Sequence, residues 1–430
     1  MKIWYSTMFI ALLTVGIFFM RGSGEITVRS VASDTPKFSP QKGIAQKTTA
    51  SPHPTQTFVA PTRSTLAPIE AKALYVTAWT FSRDDKRTKL SKITNETEVN
   101  AWVVDIKGND GSRLFEIMNN NRIRTIINEL HTKNIYLIGR VTAFQDSKFS
   151  KLHPELSLRT PDGKPWKDQG GYPWLDPASQ EVWNYTLETS KKAVDLGFDE
   201  IQLDYVRFPS EGTLNKIVYP FYDGKTSKMV IITNWVKYFH DSMKEYAPTV
   251  TLSADIFGYT LLRDNDSGIG QRLLNLLPYF DFISPMVYPS HYTSGNFGFK
   301  NPAEHPYEVI TRSMEEGIKI LEKQLIVNTQ NASVTPSGIP VASGSAILKT
   351  STPTPTTYPC SLLGLSEGNC KPSDLTKKLR PWLQDFSLAT HYDATRVKAQ
   401  ITASHDLGIT TWMLWNPNNA YTKDALEPED

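Results

Sequence analysis

The sequence predicts an α/β protein, a (β/α)8 TIM barrel, on three observations. Short β-branched or aromatic runs recur from Ala73 to Pro417, the segments between them change to a helical apolar period, and eight such units are enough to close a ring. An open doubly wound sheet is the alternative. It would need a topological switch point, and no G-x-G-x-x-G turn follows the first run.

The strands are expected in ALYVTAWT (Ala73–Thr80), AWVVDIKG (Ala101–Gly108), IYLIGRVT (Ile135–Thr142), EIQLDYVRF (Glu200–Phe208), TVTLSADIFG (Thr249–Gly258), DFISPMVYP (Asp281–Pro289), LRPWLQDF (Leu379–Phe386) and ITTWMLWNP (Ile409–Pro417). Between them Ile123, Ile126, Ile127 and Leu130 follow i, i+3, i+4, i+7, and Ile232, Trp235, Val236, Phe239 and Met243 extend the same stripe. Asp176 is expected to cap a helix that starts at Pro177, and Gly197 and Gly408 to mark helix-to-strand hand-overs. QLIVN (Gln324–Asn328) reads as a short ninth strand without a place in the ring.

Ile3 to Met20 is eighteen uncharged, mostly apolar residues between Lys2 and Arg21, which reads as an export signal. Its length favours a retained N-terminal hydrophobic anchor over a signal peptide, for which Ser30-Val31-Ala32 is the clearest cleavage pattern. The expected organisation is residues 1–21 as anchor or signal peptide, 22–70 as a flexible, disordered stalk, and 71–424 as the barrel. A long surface insertion before strand 7, at about 325–376, carries TPSGIPVASGSAILKTSTPTPTTYP. The only two cysteines, Cys360 and Cys370, lie just after that tract, and an exported compartment favours their pairing in a disulfide.

Lys+Arg of 46 against Asp+Glu of 44 gives a net charge of +2, without the basic balance that a nucleic-acid partner requires. Hydrophobic residues at 40% and charged ones at 21% describe a globular chain rather than a polytopic membrane protein. There is no G-x-S-x-G, H-E-x-x-H or Walker loop, the eight histidines are scattered, and no further ligands surround the cysteines; no metal and no cofactor is expected. The sequence specifies no oligomeric state.

In a barrel the functional face lies at the C-terminal strand ends, and side chains alternate between the helix layer and the interior. Trp102, Val104 and Ile106 suit the helix side, which sends Asp105 and Lys107 inward as a pair; Arg140 shares the parity of Tyr136 and Ile138. Ile201 and Leu203 face out, so Gln202 and Asp204 face in; Leu252, Ala254 and Ile256 face out, so Ser253 and Asp255 face in. Asp204 and Asp255 thus end sequential strands about 4.8 Å apart, and carboxyl groups so placed would be ~5 to 6 Å apart, the spacing of nucleophile and acid/base in a retaining glycosidase. Desolvation and mutual repulsion should raise one acid's pKa, while Lys107, Arg140 or Arg207 keeps the other ionised.

Asp105 could instead orient a sugar hydroxyl, and Glu211, in the loop after the fourth strand, is an alternative acid. Arg207 points by parity toward the helices. His291 is expected in a hydrogen-bonding role, and Gln384 joins the candidate substrate-binding set. Trp79, Tyr288, Trp382 and Trp415 at strand ends, with Tyr172, Trp174 and Tyr292 in the top loops, would offer ring faces to pyranose C–H groups.

The segments WLDPASQEVWNYTLETSKKAVDLGFDEIQLDYVRFPSEG, SADIFGYT, DFISPMVYPSHY with KNPAEHPYEVI, LRPWLQDF and GITTWMLWNP resemble the putative glycosyl hydrolase domain family of bacterial exported proteins, over about Ala73 to Tyr421. The resemblance implies a TIM barrel related to the glycoside hydrolases, with a catalytic aspartate ending the fourth strand, here Asp204, and an acid on the fifth, here Asp255. In related barrels the latter is usually Glu, one methylene longer. The resemblance also implies a helix leading almost directly into LRPWLQDF, from which the stretch at 325–376 departs.

Two functions follow as expectations. One is an exported, membrane-anchored glycoside hydrolase acting on a polysaccharide or glycan, with Asp204 as nucleophile or stabilising carboxylate and Asp255 as general acid/base. The other, motivated by Asp in place of Glu, is a non-catalytic glycan-binding or cell-envelope scaffold. Hydrolysis of another ester or amide lacks a visible nucleophile or metal.

Overall fold

The computed structural model describes residues 66–332, 358–359, 369–370, 374 and 376–429. Their strands are β1 (Lys72–Val76), β2 (Ala101–Lys107), β3 (Tyr136–Thr142), β4 (Glu200–Asp204), β5 (Thr251–Phe257), β6 (Phe282–Met286), β7 (Trp382–Gln384) and β8 (Trp412–Trp415). All eight are parallel, follow one another in chain order around a ring, and close through β1 against β8. The crossovers are α1 (Asp84–Asn95), α2 (Asn120–His131), α3 (Gln180–Leu196), α4 (Lys228–Tyr246), α5 (Leu273–Leu276), α6 (Pro306–Ala332) and α7 (Ala394–Asp406).

Strand parity divides the apolar residues into two cores. Leu74, Val76, Trp102, Val104, Ile201, Leu203, Leu252 and Ala254 belong to the outer core that also holds the stripes of α2 and α4, whereas Ala73, Tyr75, Val103, Ile138, Trp382 and Met413 fill the interior. Both predicted helical stripes are buried. Gly197 ends α3 at φ +112, a left-handed cap that an L side chain would strain.

Most strands stop short of the apolar runs that predict them. After β1 the chain turns into one helical segment, Ala78–Ser82, because the Thr77 hydroxyl accepts from the Thr80 N–H. After β4, Tyr205 takes φ +55 and ends the extended path. QLIVN is a correction: it continues α6 and adds no strand, since a five-residue apolar run carries no period that distinguishes the two and propagating an existing helix adds one bond per residue. Asp176 is a second correction. Its carboxylate accepts from the N–H groups of Ala178, Phe221 and Tyr222, so it fastens a loop while Ser179 caps α3.

The seam between β6 and β7 is the thinnest in the ring. It has one ladder pair, Met286 with Trp382, plus a bridge from Ile283 to Leu379, and Pro285 removes one N–H from β6. At the floor, Leu66 and Ile69 pack on the interior core and the Leu66 N–H donates to Asp199, so the last residues of the expected stalk touch the barrel. Tyr358–Pro359 pairs antiparallel with Asn369–Cys370. Cys360, the expected anchor at 1–21, the stalk up to residue 65 and most of the insertion lie outside the described residues. Among the described residues no helix is long and apolar enough to cross a membrane.

Candidate active site

Four charged side chains from four successive strands converge at the C-terminal ends of β2 to β5. Asp105 and Arg140 are register partners, and the β3 to β4 ladder brings Asp204 opposite Thr142, one step above them. Arg140 donates from Nη1 to Asp105 Oδ1 at 2.6 Å, and from Nη2 and Nε to Asp204 Oδ2 at 2.5 and 3.1 Å. Its Nε lies 3.9 Å from Asp255 Oδ2. Laid end to end, those two Nε distances bound the separation of the two aspartate oxygens at about 7 Å, which reaches the retaining spacing and touches only the low edge of the inverting range.

The environments of the two acids differ. Asp204 is 6% exposed, doubly bound by Arg140, and fixed from behind by the Tyr205 N–H, which donates to Oδ1 at 2.6 Å through the left-handed turn. Asp255 is 1% exposed and receives the Trp382 indole N–H on Oδ1 at 2.7 Å. Burial, and then repulsion from Asp204, push the Asp255 carboxyl well above the ordinary carboxylate range, beyond what Arg140 and the indole offset. Burial also raises Asp105, against the opposing pull of Arg140 and of the Tyr75 hydroxyl, which donates to its Oδ2 at 2.5 Å. Burial works against the charge of Arg140 too, but Asp105 and Asp204 outweigh it and hold the guanidinium protonated.

Asp105, Arg140, Asp204 and Asp255 therefore meet as the strand parity predicts, and Lys107 does not join them. A bulge between Asp105 and Lys107 pairs Lys107 with outward-facing Val141 and turns its side chain to the helix layer. There, fully buried, it donates to Asp146 at 3.0 Å under the ring of Tyr185. Arg207 lies in the loop beyond β4, boxed by the rings of Trp174, Tyr205 and Phe257, with its Nη1 on the Phe208 carbonyl and the Ser210 hydroxyl. Glu211, partly buried nearby, is raised by burial and held down in part by Arg207.

Gln384 spends its amide on the loops after β6 and β7, accepting from the Ser290 N–H and donating to the Ser290 hydroxyl and the Phe386 carbonyl. His291 packs against Tyr288 and Phe386, and burial pushes it down to about 4, so it is neutral at ordinary pH. Of the aromatic residues proposed as platforms, Tyr288, Tyr292, Trp174 and Trp382 are buried, Trp415 is half-buried and stacks on Tyr75 at 3.9 Å, and Trp79 is 55% exposed.

Tyr75 is the site residue that sequence reasoning missed; its inward parity beside Ala73 was the available signal. Likewise unforeseen is the network beside the mouth in which Gln145, the Trp174 indole and the Tyr172 N–H all donate to Asp168. A separate cleft of about 730 Å³, lined by Arg113, Phe115, Arg124, Tyr185 and Lys192 among others, lies in the helix layer. Among the described residues no group of three or more His, Cys, Asp and Glu is arranged to hold a metal; the three aspartates converge on a guanidinium.

A family model described as Putative glycosyl hydrolase domain matches residues 73–337 and 333–421. Among solved structures, a hypothetical protein from Ruminiclostridium thermocellum is 36% identical, over 42% of this chain and 96% of that one, with a TM-score of 0.37. The alpha-galactosidase from Thermus thermophilus in complex with stachyose is 11% identical, over 84% of this chain and 64% of that one, with a TM-score of 0.45. An alpha-galactosidase from Geobacillus stearothermophilus is 9% identical, over 83% of this chain and 40% of that one, also at 0.45. The chain thus spans less than two thirds of either galactosidase. No curated protein matches the sequence.

Proposed function

The chain belongs to the family described as Putative glycosyl hydrolase domain, and on that premise we propose that it hydrolyses glycosidic bonds in a polysaccharide or glycan through Asp204 and Asp255. One observation carries the reading: Asp204 and Asp255 face the same guanidinium nitrogen, and burial pushes the Asp255 carboxyl far toward its protonated form. Asp255 delivers that proton to the glycosidic oxygen as the bond to the anomeric carbon breaks. Asp204, held by Arg140 and the Tyr205 N–H, attacks the anomeric carbon, and Asp255 then takes a proton from the water that releases the sugar. The separation bound favours retention of configuration. Asp105 and Tyr75, one bonded pair at the rim, would orient a sugar hydroxyl.

Incubating the full chain with a glycan panel beside Asp204→Asn and Asp255→Asn tests this. Each variant should lose about 10²- to 10⁴-fold in turnover. On nitrophenyl glycosides, whose leaving group needs no proton, Asp255→Asn should still release nitrophenol in a first-turnover burst and then slow at the water step that needs the base; equal turnover by all three proteins refutes the assignment.

A second reading, a non-catalytic glycan-binding scaffold, draws on the shorter acid at position 255 and its depth of burial. It requires both Asn variants to bind glycan like the wild type with no product from any of them. We further propose that Ile3 to Met20 carries the barrel out of the cytoplasm, as a retained anchor or a cleaved signal. Fractionation of expressing cells tests it, and recovery of uncleaved protein in the cytosol alone refutes it.

A further inference from the structure

Trp382 stands where sequence reasoning put a sugar platform, but it has no face to offer. It is 1% exposed, lies edge-on to Tyr75 and Trp415 at 6.4 and 5.5 Å between ring centres, and is clamped by ladder partners on both sides, Met286 and Met413. Its one polar atom points at Asp255 Oδ1 at 2.7 Å. An indole nitrogen donates and cannot accept.

We infer that Trp382 is a positioning residue that decides which oxygen of Asp255 carries the transferable proton: Oδ1, facing the indole N–H, must be the bare oxygen, and Oδ2, on the side of Arg140 and Asp204, the protonated one. The inference rests on the hydrolytic reading above. A neutral carboxyl has one O–H and one acceptor oxygen, and turning it over would set two donors against each other. Losing that bond disfavours the wrong arrangement by about tenfold or more. The proton therefore waits on the oxygen that faces the Arg140 Nε shared with Asp204, where a scissile oxygen between the two carboxyls would collect it.

Asp204 from β4, Arg140 from β3, Arg380 at the head of β7 and Tyr288 beyond β6 are the charged and titratable groups acting on Asp255, and all survive a change at position 382. The test uses the full chain carrying Trp382→Phe and, should that variant fold poorly, the sulfur isostere 3-benzothienylalanine at the same position, which keeps the ring shape and lacks the donor. Infrared difference spectra, with Asp255→Asn as reference, follow the C=O stretch of the protonated acid. Without the indole donor that band should move to higher frequency, and the titration midpoint should rise by about one unit. On substrates with an unactivated sugar leaving group kcat should fall about tenfold with KM unchanged, and nitrophenyl glycosides should be nearly spared. An unmoved band and midpoint in the isostere overturn the inference even if Asp255→Asn abolishes cleavage. A shifted band in a protein that cleaves no glycan leaves Trp382 in its role toward Asp255 and removes the hydrolytic step.

Discussion

Arg140 meets Asp105, Asp204 and Asp255 with a single guanidinium, so its removal exposes what the cluster costs the fold. Breaking a buried pair leaves an uncompensated charge, and Arg140→Met should lose about 3–5 kcal/mol of stability at pH 8. Urea titration measures it, and a loss below about 1 kcal/mol, the level of an exposed pair, contradicts the burial argument. Asp255 gives the opposite sign. Its folded pKa is raised, so the native state keeps a proton that the unfolded chain releases; that stability is complete below the unfolded value near about 3.9 and is lost as pH rises through the folded value. Asp255→Asn should therefore gain on the wild type between pH 4 and pH 9, as read from paired urea midpoints. A constant difference across that range would mean the acid is not raised.

At the level of elements, caps and one bulge decide what the apolar pattern leaves open. Asn119 caps α2 by accepting from the Arg122 N–H at 2.8 Å, and Asn119→Ala should cost about 1 kcal/mol in a thermal melt. The stripes of α2 and α4 could be read directly because burial on one face imposes a 3.6-residue period. The fate of Lys107 could not. Its two-residue spacing from Asp105 promises the same face, and a register shift visible only against β3 delivers the other. Lys107→Met should accordingly destabilise the fold by leaving Asp146 and the Tyr185 ring without their cation, while leaving KM for any glycan unchanged. An altered KM with normal stability would return Lys107 to the mouth.

Across the whole molecule, the thin β6 to β7 seam is spanned from inside. Arg380, just before β7, donates to both oxygens of Glu200 on β4 at 2.9 and 3.2 Å, and both residues are fully buried. Glu200→Gln should cost about 3–5 kcal/mol and speed hydrogen exchange in β6 and β7, and the double change Glu200→Gln with Arg380→Met should recover much of it. A single variant as stable as the wild type would show that the ladder alone closes the ring.

The sequence by itself determined the ring of eight, the two faces of most strands, and the inward face of Asp105, Arg140, Asp204 and Asp255, because alternation and helical period are local consequences of which side chains must leave water. Tertiary structure decided the rest. Whether an inward aromatic residue offers a face or spends its N–H on an acid, as Trp382 does, and which acid keeps its proton, depend on distances between strands far apart in the chain, and burial and Coulomb energies follow those distances.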